Sequence, residues 1–140
     1  MENVENVGTS YVGQVRSFFE LLCKKDIDAW IQLWHPDAKI LVFYPPEGFG
    51  SSIQGASAIS SAFRSLFNNF QSFDAVISDI YPAADSDAVV VEYRNRAILR
   101  NGSEYTNSNI AVFRFRHGLI SAYHDYFDPR RFQQVVDALP

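Results

Sequence analysis

The run AYHDYFDPRRF, residues 122–132, places two acids among aromatic residues shortly before the chain's end. Asp128 directly precedes Pro129, the order expected of a helix N-cap followed by proline at the first helical position. Asp125 instead lies within a strand-like stretch, two residues from both Tyr123 and Phe127. A carboxyl group surrounded by aromatic side chains is desolvated and holds its proton to higher pH, so it can act as acid or base near neutrality. A neighbouring arginine would favour the ionised form.

Three further sets of residues bear on this chemistry. In VVVEYRNR, Glu92 and Arg94 alternate onto one face of a strand, with Tyr93 and Asn95 on the other. On the following strand Tyr105, Asn107, Asn109, Ala111 and Phe113 share a face. If the faces bearing Glu92, Asn107 and Asp125 coincide, a pair of carboxylates, a guanidinium and amides meet inside an aromatic shell. The same alternation admits a solvated Glu92–Arg94 surface pair. Trp30 and Trp34, four residues apart, suit either core or cavity floor. His35, His117 and His124 lack metal-ligand spacing, so no metal site is expected. Cys23, the single cysteine, cannot form an internal disulfide and reads as a buried structural thiol.

The elements that would position these residues follow from periodicity and punctuation. Tyr11, Val15, Phe18, Phe19 and Leu22 recur at helical spacing, with Thr9 or Ser10 as the cap. Asp26 caps a second helix over residues 27–35, which Pro36 should stop. A strand over 38–44 leads into a loop rich in proline and glycine. Residues 56–70 then carry Ile59, Phe63, Leu66, Phe67 and Phe70 on one helical stripe. Strands are expected over 72–82, 87–100, 103–116 and 119–127, as an antiparallel meander. Asn101-Gly102 is a strong hairpin signal because both residues tolerate positive φ. A short helix follows Asp128. Helices gathered early and strands gathered late predict an α+β fold with a curved sheet wrapped over a helix.

The 140 residues fit one domain, 1–140, and are 47% hydrophobic with twelve Phe, which suggests a cavity lined by aromatic rings. A net charge of −4 and scattered basic residues argue against nucleic acid. The N-terminal sequence lacks the pattern of a secretory signal, and no apolar run is long enough to span a bilayer, so a cytoplasmic location is expected without membrane association.

HPDAKI, GASAISSAF, VVEYRNRAILRNGSEYTNSNIAVFRFRHGLI and YHDYFDPRRF, in this order over residues 10 to 135, resemble the nuclear transport factor 2-like superfamily and its SnoaL-like branch. The resemblance implies a cone-shaped, cystatin-like fold with a strongly curved antiparallel sheet around an internal pocket. It also implies acid–base chemistry without a cofactor, such as cyclisation or isomerisation of a hydrophobic ring-bearing or carbonyl compound. Phenazine-biosynthesis A/B-type proteins and limonene-1,2-epoxide hydrolases are similar, and their last-strand acid matches Asp125. Glu92 would then be a partner carboxylate and Arg94 the group setting charge or gripping an anionic substrate. Asn107, Asn109 and Tyr44 would orient the substrate between Trp30, Trp34, Phe63, Phe113 and Phe127. The epoxide hydrolases hold water with a tyrosine and an asparagine on the first strand, where this chain has Ile40 and Val42. A homodimer is expected through the outer sheet face, at Thr106, Ser108, Ile110, Val112, Arg114 and Arg116, with Val91 in the same interface. The alternatives are a non-catalytic ligand-binding or dimerisation module of the same fold, or an epoxide-hydrolase-like enzyme.

Overall fold

The computed structural model describes residues 11–140. Helix α1, Val12–Cys23, buries Val15, Phe18, Phe19 and Leu22, the i, i+3, i+4, i+7 stripe of an amphipathic helix. Its expected cap at Thr9 or Ser10 lies outside the described residues. Lys25, at φ 58°, turns the chain, and Asp26 caps α2, Ile27–Trp30, by accepting a hydrogen bond from the Ala29 backbone N–H.

The second helix is shorter than its periodicity predicts. A 3-10 turn, Ile31–Leu33, intervenes, and strand β1, Trp34–Val42, begins at a residue expected to be helical. Pairing of Trp34 with Ile120 overrides the helical pattern. The register shifts between Trp34 and Lys39, and Pro36 falls in that irregular stretch, where a missing ladder donor is tolerated. The loop after β1 contains a short strand, β2, Ser52–Gln54. Helix α3, Ala56–Asn68, then leads into β3, Phe70–Pro82, so Phe70 opens a strand rather than closing the helical stripe.

Strands β4, Val89–Leu99, β5, Glu104–Arg116, and β6, Leu119–Tyr126, complete a six-stranded open sheet of order β2-β1-β6-β5-β4-β3. Only β3 to β6 form the antiparallel meander. β1 pairs parallel with β6, bringing the first long strand alongside the last. The β5–β6 turn carries positive φ at both His117 and Gly118, as a two-residue type I′ turn requires. At Asn101-Gly102 only Gly102 is left-handed, while the Asn101 side chain accepts from the Ser103 backbone N–H and hydroxyl. Helix α4, Pro129–Asp137, starts as expected: Asp128 accepts from the Arg130 N–H and Pro129 occupies the first turn.

The register decides which face of each strand is inside. Val89, Val91, Tyr93, Ala97 and Leu99 of β4 are buried, as are Tyr105, Asn107, Asn109, Ala111 and Phe113 of β5. Ser121 is bulged: Arg114 pairs with Ala122 and Phe115 with Ile120, so both Ile120 and Tyr123 are buried. Among the described residues, no helix is long and apolar enough to cross a membrane.

Candidate active site

The sheet and helices line a partly open cavity of about 100 Å3 with a largely aromatic wall. Phe19 and Leu22 reach it from α1, Phe63 and Phe67 from α3, and Phe132 from α4. Asp125 stands on this wall with Tyr93, Tyr105, Tyr123, Asn95 and Asn109.

Asp125 and Tyr123 come from β6, whereas Tyr93 comes from β4, two strands away. Ala111 of β5 is directly opposite both Val91 and Asp125, and its methyl group leaves room for larger neighbours to meet across it. The Tyr93 hydroxyl donates to Asp125 Oδ1 at 3.0 Å, and the Tyr123 hydroxyl lies 3.1 Å from that of Tyr93. Each phenol has one proton. With the Tyr93 proton directed to Asp125, Tyr123 is the donor across the Tyr–Tyr contact.

Burial pushes the Asp125 carboxyl up to about 7, against the lowering effect of hydrogen bonds from Tyr93 and the Tyr126 backbone. Both protonation states are therefore accessible near neutrality. Burial and the adjacent Asp125 charge hold the Tyr93 and Tyr123 phenols well above their usual range. Tyr105 is also raised, mainly by burial; its oxygen accepts from Asn107 Nδ2 at 2.8 Å while its own proton remains to be donated.

Several residues expected at the site lie elsewhere. Glu92 and Arg94 are exposed on the opposite face, because β4 pairs Glu92 with Ile110, which in turn faces Tyr126 on β6. Glu92 accepts from the Tyr81 hydroxyl at 2.7 Å, and Arg94 lines a shallow outer groove with Asp74 and Arg96. Tyr44 is 66% exposed, near Tyr126 on the outside. Asn107 is buried, but its amide is occupied by the fold: Nδ2 donates to the Asp128 carbonyl and Oδ1 accepts from the Asp128 N–H. It thus ties β5 to the start of α4.

Asp125, Asn109, Phe63 and Phe127 stand on the cavity wall. Trp30, Trp34 and Phe113 form an aromatic layer behind it; Trp30 stacks on Phe63 with ring centroids 4.4 Å apart. Val91 is in the core, not on the outer face. The sequence singles out none of Tyr93, Tyr123, Tyr105 and Asn95, and the Glu92–Arg94 face, opposite Tyr93 and Asn95, is the one expected at the cavity. Their alternation with Glu92 and His124 was the available signal.

An open, curved sheet closed by helices around an acid-bearing cavity defines a nuclear transport factor 2-like α+β protein, a fold shared with an Anabaena variabilis NTF2-like protein. The SnoaL-like domain profile matches residues 15–123, and the chain belongs to that family. It is 29% identical over 116 residues to the uncharacterized protein YesE of Bacillus subtilis strain 168, covering 82% of this chain and 79% of the relative. The uncharacterized PhzA/B-like protein PA3332 of Pseudomonas aeruginosa is 28% identical over 117 residues, 83% of this chain and 82% of the relative. A solved Bacillus subtilis protein, described provisionally as an isomerase, superposes with a TM-score of 0.80 at 26% identity, covering 98% of this chain and 97% of that one.

Proposed function

We propose that the protein is a cofactor-independent enzyme that moves a proton on a small hydrophobic ring-bearing or carbonyl compound, in an isomerisation or cyclisation. The observation carrying this reading is Asp125: a cavity-wall carboxyl, raised to about 7 and held by Tyr93, among aromatic side chains.

In the ionised form Asp125 removes a proton from carbon next to a carbonyl group. The electron pair moves into the new carbon–carbon double bond and the carbonyl oxygen becomes an enolate oxygen. Tyr105, kept protonated by burial, supplies a hydrogen-bond donor for that developing charge. Protonated Asp125 then returns its proton to a different carbon, and the carboxylate is regenerated. Ile40 and Val42 make the first-strand wall apolar and offer no side-chain group to hold water, which favours proton transfer over epoxide hydrolysis.

Exchange of α-protons for deuterium in small cyclic ketones, such as cyclohexenone, tests the proposal by NMR. The unmodified protein should accelerate exchange above the buffer rate, and Asp125→Asn should abolish the acceleration. Ketone binding with no acceleration would instead support a ligand-binding module. Equal acceleration by both proteins would remove Asp125 from the mechanism.

A further inference from the structure

Two features of the cavity remain unused by proton transfer at Asp125. The Asn95 and Asn109 amide oxygens are buried and accept no hydrogen bond, although both residues line the cavity. Asn109 is only 6% exposed, and its amide oxygen is the end without a partner. A buried acceptor without a donor is costly, and an occupant with an O–H group would recover that loss.

The second feature is charge. Among the described residues, no Lys, Arg or His lines the cavity, while Asp125 does. Arg94, the cation expected to grip an anionic substrate, is on the other side of the sheet. An anion brought here would lose its hydration, find no positive partner and face the Asp125 carboxylate. Size restricts the occupant further: about 100 Å3 among Phe and Tyr side chains leaves room for no more than one ring, since a dry cavity on the order of 150 Å3 holds a single benzene.

We propose that the cavity takes a neutral, single-ring compound bearing a hydroxyl group, which donates to the Asn109 amide oxygen, with Asn95 as a second acceptor. This inference rests on the preceding proposal only in treating the cavity as the substrate's place. Asn95 and Asn109 set specificity; Asp125 carries the chemistry. A hydroxylated ring is selected over its methyl ether, which keeps the shape but lacks the donor. A ring carboxylate is excluded.

NMR titration of the full chain with phenol, anisole, benzene and benzoate tests this order. Phenol should bind roughly five- to tenfold more tightly than anisole or benzene, the increment expected for one neutral hydrogen bond. Benzoate should give no saturable shift at pH 7.5. Phenol, but not anisole, should shift the Asn109 side-chain amide resonances, a measurement independent of any variant's folding. Asn109→Leu should retain benzene binding and lose the phenol preference.

Equal affinity for phenol and anisole, or saturable benzoate binding in this cavity, would overturn the inference. A phenol preference lost in Asp125→Asn but retained in Asn109→Leu would place the hydroxyl at Asp125 and overturn it as well, leaving proton transfer standing. Conversely, absent ketone exchange alongside an intact, Asn109-dependent phenol preference would defeat proton transfer alone.

Discussion

The Tyr93 hydroxyl on β4 reaches past the β5 strand to donate to Asp125 on β6, across 3.0 Å. This bond opposes the effect of burial on the Asp125 carboxyl, whose protonation state is linked to both stability and activity.

Asp125 should make the fold less stable as pH rises. Its folded-state value of about 7 exceeds the ordinary 3.8, so the native state favours the protonated form. The stabilising contribution is fully present below about pH 4 and is lost through pH 7, with a magnitude on the order of 4 kcal/mol. Urea denaturation of the unmodified protein and Asp125→Asn should show the variant gaining relative stability between pH 4 and pH 8. A constant difference across that range would contradict the raised carboxyl.

Tyr93→Phe removes a hydrogen bond that lowers the Asp125 value. The rising limb of the exchange rate, which follows ionised Asp125, should therefore move to higher pH. A lower plateau with an unmoved midpoint would assign Tyr93 to packing alone.

Glu92→Gln and Arg94→Met should each change stability by less than about 0.5 kcal/mol, because both side chains are exposed. Exchange activity should also persist. Loss of activity without loss of fold would show that the outer face communicates with the cavity.

Asn107→Ala should cost about 2–4 kcal/mol, since it deletes a buried amide and strands the Asp128 backbone groups at the start of α4. Thermal unfolding measures the loss. A change within error would indicate that water replaces the amide.

We propose a homodimer through the outer sheet face. Ile110 is 43% exposed, Val112 is half-buried beside it, and Arg114 and Arg116 lie farther along the same face. A two-fold axis would bury this apolar centre against itself and leave the arginines at the rim. Sedimentation should find a dimer at micromolar concentration, and Val112→Glu should weaken it while leaving the cavity intact. A monomer in the unmodified protein would refute the assembly.

Local features were legible in the sequence because neighbouring residues determine them. Asp128-Pro129 starts α4, the Val15–Leu22 stripe faces the core, and period-two alternation separates the two faces of β4 and β5. The resemblance to SnoaL-like proteins likewise extended to the family and fold. Alternation cannot say which face becomes concave. That depends on register between strands distant in sequence: Val91 opposite Ala111, Ala111 opposite Asp125, and the Ser121 bulge that restores Tyr123 to the interior. Tertiary structure consequently put Tyr93 beside Asp125 and left Glu92 and Arg94 outside, because the register aligns the Val91–Tyr93 face with Ala111 and Asp125 and the Glu92 face with Ile110 and Tyr126.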